Sequence, residues 1–402
     1  MGVQRILFYC GSLIPVECAA TNYYVNLARI HREAGFEVLL LSEVAPPPDC
    51  GPDGVFHFRG FPCVALGRPS YRRKLLSFTN YLRFNSPVLD WLQARPHQEE
   101  WAGFVACSGM STITALAQQW ARQRGIPCLT VSTEHHLPSH YLKKFNVAAW
   151  LDHEAHIRRV NHQADGVAVL SNYSQEFYRS RGVNVMQIRP MIDTRAEMWQ
   201  PVERGRRENL HLLFMGSPRR DRQDLILEGV RLARERGVPV LLQYAGIGRE
   251  PFTQLLGHRR SLLDSLGQAI RFDPWIPWEQ VPELLGSTDF CILFREDLRD
   301  MRYGFPSKTV EIMAKGTPVI CNQSSDLFTF VQDGVNGFQV GALDAALLAK
   351  ALERAHALND AAYMNMRRAA RATAEAEFDL RHYVPLIQRF YKVAGNGGAR
   401  KE

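Results

Sequence analysis

The chain has 402 residues, 46% of them hydrophobic and 22% charged, and a formal net charge of +7. That is the composition of a globular protein in water, and the length calls for two domains of roughly 150 to 200 residues instead of one core. No apolar run reaches the roughly 18 to 20 residues that a membrane-crossing helix needs, and the positive balance favours anionic partners (nucleotides, phosphoglycans, anionic lipid or nucleic acid) without selecting one.

The N-terminal MGVQRILFYCG is too short in its apolar part for a secretion signal and reads as a first strand; it also lacks the Ser or Thr of a myristoylation signal. The eight cysteines, at 10, 18, 50, 63, 107, 128, 291 and 321, form no CxxC pair. Reduced cysteines in a cytoplasmic protein account for them.

In chain order, Arg5–Cys10 is an apolar strand, followed by GSLIP (Gly11–Pro15), which either lines a cleft or is a plain turn. Thr21–Ala34 carries Tyr24, Leu27, Ala28 and His31 on one face at helical spacing, and Gly35 can end it. Phe36–Leu41, Phe104–Cys107, Cys128–Val131 and Val167–Leu170 are further continuous apolar strands, with helical stretches such as Thr112–Arg124 between them. Such alternation implies a parallel sheet covered on both faces. Ser70–Phe84 alternates basic and apolar residues, as either an element touching anionic membrane or a surface helix. Glu134, His135, His136 and His140 follow the strand Cys128–Val131, where a ligand-facing cluster is expected. Zinc is the alternative, with His153 and His156 as a second half, but the spacing matches no familiar ligand pattern. Tyr141, Lys143 and Lys144 beside them either meet an acceptor or are plain surface.

Met191–Asn209 is polar and charge-rich and reads as a linker. The alternation then restarts with strand Leu210–Met215 and the sequence GSPRRDR, which puts Arg219, Arg220 and Arg222 between a strand end at Gly216 and a helix start. Guanidinium groups there can fork onto phosphate oxygens; a solvated basic turn is the plainer reading. YAGIG follows the next strand, and Gly246 and Gly248 allow close backbone approach to a ligand. It is not the three-glycine dinucleotide fingerprint. Strands Ala269–Phe272 and Phe290–Phe294 precede RYGFPSKTVEIMAKGTPVI, residues 302–320. Its turn at Phe305, Pro306 and Ser307 leaves helix-start N–H groups free for an anion, Lys308 adds positive charge, and Glu311 can accept hydrogen bonds from sugar hydroxyls. Strands Pro318–Cys321 and Phe338–Val340 come next, and Phe378–Val393 reads as a last amphipathic helix.

Together these segments resemble the retaining glycosyltransferases of family 4, which have the GT-B fold: two Rossmann-like, doubly wound α/β domains facing a cleft. The resemblance runs through FMGSPRRDRQDLILEG, LLQYAGIG, IRFDPWIPWEQVPELLGSTDFCIL, GFPSKTVEIMAKGTPVICN and DGVNGF, and more weakly through AGFEVLLLS, STEHH and ADGVAVLSNYS. It implies an acceptor-side domain at 1–190, a linker at 191–208, a nucleotide-sugar-binding domain at 209–376, a crossover helix at 377–393 packing on the first domain, and a disordered tail at 394–402. The family's basic pair on the donor diphosphate falls at Arg219 and Arg222, beside Gly216 and Ser217. Glu311 matches the glutamate that binds the donor ribose, and His135 the histidine that faces the donor sugar. The first motif glutamate of many members falls at Tyr303, so the chain resembles the variant branch with Pro-Ser/Thr-Lys, here Pro306, Ser307 and Lys308. The base is expected against Trp275, Ile276 and Pro277.

The resemblance implies transfer of a sugar, with retention, from a UDP-, GDP- or dTDP-sugar to a hydroxyl of a glycan or lipid-linked glycan, in surface polysaccharide or glycoconjugate synthesis. No metal and no separate cofactor are required, and no nucleic acid is expected. The location is cytoplasmic, with peripheral contact at an anionic membrane face. The alternatives are a sugar-nucleotide 2-epimerase of the same fold and a non-catalytic protein that binds through its basic surface.

Overall fold

Runs of Val, Leu, Ile and Phe too short for a helix and too apolar for a loop pair side by side in two sheets. The computed structural model describes residues 4–11, 13–16, 18–48, 50–51, 53–67, 86–94, 101–142 and 146–395. Ser12, Ser70–Phe84, Lys143, Lys144 and the tail beyond 395 lie outside the described residues. Two compact units form, Met1–Met191 with Leu380–Glu402, and Ile192–Asp379.

The first unit holds β1 (Arg5–Tyr9), β2 (Glu37–Ser42), β3 (Val55–Phe58), β4 (Phe61–Ala65), β5 (Trp101–Ala106), β6 (Cys128–Ser132), β7 (Gly166–Val169) and β8 (Val185–Gln187). Their order is β3-β4-β2-β1-β5-β6-β7-β8, with β3 antiparallel to β4 and the other pairs parallel. Sequence reasoning did not foresee the β3–β4 hairpin. Its two turn residues, Arg59 and Gly60, have φ of 48° and 83°, the pair of left-handed conformations of a type I′ turn, where Asn or Asp is the usual first residue. An arginine hides that signal. The helix Ala19–Glu33 buries Tyr23, Tyr24, Leu27, Ala28 and His31. After β1, Ser42 Oγ donates to the carbonyls of Gly11 (3.1 Å) and Ile14 (2.6 Å), which pins the Gly11–Pro15 turn against β2.

The last helix belongs to this unit and starts later than expected. Phe378 ends the long helix Asp360–Glu377, a single 3-10 turn spans Leu380–Tyr383, and the final helix is Val384–Gly395. Pro385 sits in its first turn, where a missing N–H costs nothing. Two glycines on the sheet make room for it. A Cβ on Gly166 would stand 2.8 Å from Phe390, and one on Gly103 would overlap the Tyr391 ring. Tyr391 also reaches the buried His31, whose Nδ1–H donates to Leu27 O (2.7 Å) while Nε2 accepts from the Tyr391 hydroxyl (3.2 Å).

The second unit is a parallel sheet of β9 (Leu210–Met215), β10 (Val240–Ala245), β11 (Ile270–Asp273), β12 (Phe290–Leu293), β13 (Val319–Asn322) and β14 (Gly337–Val340), in the order β11-β10-β9-β12-β13-β14. Leu212, Phe214, Leu242, Tyr244 and Ile292 build its core with the helices Gln223–Glu235 and Ala345–His356. The segment read as a linker is part of this unit. Arg371 donates to the carbonyls of Thr194 (2.5 Å), Trp199 (2.6 Å) and Ala314 (2.6 Å). Arg367 reaches Val202 O (3.3 Å), and Lys315 Nζ donates to Met198 O (3.2 Å) and Gln200 O (2.5 Å). Three half-buried or buried cations thus bind the backbone of a stretch whose side chains look like solvent-facing ones. The first and last links join residues more than a hundred positions apart, so local composition could not show them.

Two outcomes follow from this packing. Arg371→Met leaves three carbonyls without their charged donor and is expected to cost about 3 kcal/mol, read as a lowered urea midpoint. Burial holds the His31 pKa down to about 4 from 6.5, so the unfolded chain binds the extra proton between those values. The stabilisation is complete above about pH 6.5 and is lost as pH falls towards 4, by up to about 1.4 kcal/mol per pH unit. His31→Gln is expected to flatten that slope in denaturation measured from pH 7 to 4.

Candidate active site

Strands β9 and β10 end in glycines whose backbones only glycine adopts without strain, Gly216 at φ 108° and Gly246 at φ 96°. Gly216 N–H donates to Ala245 O (2.9 Å) and Gly246 N–H to Asp273 O (2.8 Å), so the ends of three neighbouring strands are tied in a row. A Cβ built on Gly246 would lie 3.7 Å from Gly216 Cα. The two glycines therefore make one patch of bare backbone. Lys308 covers its edge: a Cβ on Gly216 would stand 3.0 Å from Lys308 Cε. The aliphatic stem runs along the glycine and carries the ammonium past the end of β9. Lys308 forms no ion pair among the described residues.

The turn after Gly216 is a 3-10 turn, Pro218–Arg220, and Arg219 in it is exposed. Arg222, expected as an open phosphate ligand, has carboxylate partners instead. Its Nε and Nη2 fork onto Asp224 (3.0 and 2.9 Å) and its Nη1 reaches Glu296 (3.2 Å). Arg259 pairs with the same Asp224. Asp221, between them, is buried and accepts the Phe294 N–H (2.9 Å) and the Arg295 guanidinium (Nη2 at 3.0 Å, Nε at 3.3 Å). Asn322 holds Arg295 from the other side, accepting its N–H (2.9 Å) and donating to its carbonyl (2.8 Å). Sequence reasoning missed Asp221, Arg295 and Asn322. The available signal was a lone acid inside PRRDR and an arginine directly after the strand FCILF, but neither names its partner.

The short helix Lys308–Ala314 starts from a turn in which Thr309 N–H donates to Pro306 O (3.0 Å) and Val310 N–H to Ser307 O (3.2 Å). Phe305 and Pro306 are core residues: Phe305 packs edge-on against Phe330 and Phe378, each at 5.8 Å. They set the helix start and offer no side chain to a ligand. Glu311, one turn beyond Lys308, is half-buried, and Tyr303 is wholly buried, so it presents no group to solvent where a glutamate was the reference residue. Gly248 has extended backbone at φ −82° and needs glycine less than Gly246 does. Trp275, in the proline-framed loop after β11, is 76% exposed. Ser217 is exposed, and Ile276 and Pro277 are half-exposed beside Trp275.

In the first unit the residues after β6 separate into two groups. His135 is buried, and its Nε2 is 2.8 Å from Glu154 Oε1. Burial pushes the Glu154 carboxyl up, but hydrogen bonds from Arg158 and His135 win and hold it below the usual range. His136, His140 and His153 stack further out. Among the described residues no group of three or more His, Cys, Asp or Glu is placed to hold a metal ion, so the zinc alternative finds no ligand geometry.

Residues 209–357 match the family model described as glycosyl transferases group 1, and residues 19–191 match the glycosyl transferase 4-like domain. The chain is a glycosyltransferase of the GT-B fold. Among solved structures this glycosyltransferase is similar to sucrose-phosphate synthase from Thermosynechococcus elongatus, with TM-score 0.69 and 17% identity over 98% of this chain and 100% of that one. It is similar to Anabaena HepE in complex with UDP and glucose, with TM-score 0.67 and 16% identity over 97% and 99% of the two chains. Trehalose 6-phosphate synthase from Burkholderia multivorans follows with TM-score 0.62 and 11% identity over 98% and 100%. No curated protein sequence matches the chain. No described helix is long and apolar enough to cross a membrane.

If the glycine patch positions Lys308, Gly216→Ala should disturb it twice, by left-handed strain and by the 3.0 Å contact. Stability is expected to fall by about 1–2 kcal/mol, and glycosyl transfer to fall further than that stability loss explains, checked by activity of the folded fraction.

Proposed function

We propose that this glycosyltransferase takes its sugar from a nucleoside-diphosphate donor and transfers it with retention to a hydroxyl of a glycan or lipid-linked glycan. The observation that carries the reading is Lys308 laid along Gly216, at the edge of the bare Gly216–Gly246 backbone, with no carboxylate partner among the described residues. Bare backbone lets a diphosphate approach, and an ammonium about 4 Å from a phosphate contributes about 4 kcal/mol at an effective dielectric of 20. The complexes of the Anabaena protein with UDP and glucose support a nucleotide-sugar donor.

In this reading the anomeric carbon–phosphate oxygen bond breaks as the acceptor oxygen bonds to the same face of the sugar. A phosphate oxygen of the departing diphosphate takes the acceptor proton. Charge growing on that diphosphate is met by Lys308, Arg219 and Arg222, with the backbone at Gly216, Ser217 and Ser307. Arg222 meets it as one edge of a cluster in which Asp224 and Glu296 fix its direction. Glu311 binds the ribose, the backbone of Trp275, Ile276 and Pro277 holds the base with Gly248 beside it, and the family resemblance assigns His135, whose ring Glu154 holds, to the donor sugar. Val147 and Leu151, 47% and 55% exposed on the helix Val147–Ala155, support an acceptor with a lipid portion or a membrane-facing side. All eight cysteines are free, which suits a reducing, cytoplasmic location.

The donor is tested by thermal shift with UDP-, GDP- and dTDP-sugars; one of them at a hundred times its Kd is expected to stabilise by about 2.7 kcal/mol. If none stabilises the protein and none is hydrolysed, the reading fails. Lys308→Ala and Arg222→Ala are each expected to lower turnover by about a hundredfold with the fold intact. Full activity in Arg222→Ala would remove that arginine from the phosphate site and leave it as a partner of Asp224.

A further inference from the structure

We propose that Arg259 is a positioning residue for the donor diphosphate: by pairing with Asp224 it cancels the charge that would otherwise leave the cluster around Arg222 net negative, while Glu296 holds the affinity of the same cluster down. This rests on the reading of Arg222 as a phosphate ligand and deepens it.

Arg222 stands at the start of the helix Gln223–Glu235, at the carboxyl end of β9, the side of a parallel sheet on which ligands bind. A guanidinium has five N–H donors. Arg222 Nε and Nη2 fork onto Asp224 (3.0 and 2.9 Å), and Nη1 reaches Glu296 (3.2 Å). That leaves a proton on each terminal nitrogen, and both can donate to phosphate oxygens. What limits the site is charge. One guanidinium against two carboxylates is net negative, and a diphosphate would be repelled from it. Arg259 restores the balance. It lies in the GHRR turn between the helices Arg249–Leu256 and Ser261–Leu266, where Gly257, at φ 59°, lets the chain change direction. Its Nη1 pairs with Asp224 Oδ2, the oxygen that also accepts from Arg222 Nη2.

Burial sorts the roles. The Asp224 side chain is 13% exposed, so water screens its charge poorly and a second cation is needed to offset it. Arg259 and Glu296, at 46% and 47%, lie nearer to water and act on whatever binds beside Arg222. The neighbouring charges do not upset the count, because Asp221 pairs with Arg295 and Asp297 with Arg302. Glu296 works in the opposite sense to Arg259. It adds one bond to Arg222 and removes one positive charge from the cluster, which keeps a spent diphosphate from being held too tightly to leave.

The test measures the Kd of the full chain for UDP, GDP and dTDP by isothermal titration. Arg259→Met is expected to weaken binding of the diphosphate that the wild type takes by about three- to tenfold. Glu296→Gln, which keeps an acceptor for Arg222 and drops the charge, is expected to tighten it by about the same factor. The double variant has one cation and one anion left and should return close to the wild-type Kd. Arg259→Lys, which keeps the charge, should stay near it as well. Each difference is expected to shrink as salt rises from about 20 to about 500 mM. Damage to the fold would lower every affinity together and show in the urea midpoint, whereas opposite signs and a restoring double variant belong to charge. Wild-type affinity in Arg259→Met, weaker binding in Glu296→Gln, or a double variant no better than Arg259→Met each overturns the proposal and leaves the donor reading standing. Failure of the donor reading is seen separately, as a wild type that binds none of the three diphosphates, and it sinks both.

Discussion

Asp221 accepts the guanidinium of Arg295 and the N–H of Phe294 inside the second unit, and the geometry of the candidate donor site hangs from that pair. It ties the turn after β9 to the end of β12, and Asn322 extends the tie to the end of β13. A buried ion pair of this kind is seldom a large source of stability, because desolvation offsets most of the attraction. Its effect is directional. Removing freedom from the turn fixes where Arg219 and Arg222 leave it, and a group that must meet developing charge is useful only if it is already in place.

The same turn shows how charge is divided in the site. The arginines and the lysine near the carboxyl ends of β9 and β12 are not equivalent. Arg222 and Arg259 share Asp224, Arg295 is neutralised by Asp221, and Arg219 and Lys308 keep their charge open. Counting positive residues would overstate the field. Lys308 also depends on an absence of side chain: a Cβ at 216 would stand 3.0 Å from its Cε and displace the stem. The first unit uses the same device for structure, since Gly103 and Gly166 are bare so that Tyr391 and Phe390 of the last helix can lie on the sheet.

Histidines in the first unit divide along similar lines. His31 and His135 are buried, the first bonded to Leu27 and Tyr391 and the second through Nε2 to Glu154. His140 is exposed. A sequence motif such as TEHHLPSHY presents His135, His136 and His140 as one cluster, while the structure buries His135 and leaves His140 exposed.

Apart from the β3–β4 hairpin, the two sheets and their parallel strands were legible in the sequence, because apolar runs at strand length and helices at their own period are local features that each segment carries. The sequence also placed Gly216 and Gly246 at strand ends and Lys308 and Glu311 in the first turn of a helix, because turn glycines and helix starts are local features too. Tertiary structure alone decided which charges are open. Arg222 looks free in PRRDR until Glu296, 74 residues on, lies beside it. Residues 192–208 look like a linker until Arg371 and Lys315 bind their carbonyls. Asp224, two residues on, takes the other edge of Arg222, but Glu296, Arg371 and Lys315 are remote in the chain from the groups they bind, and a polar side chain or a bare carbonyl has the same appearance in sequence whether water or a charged partner satisfies it.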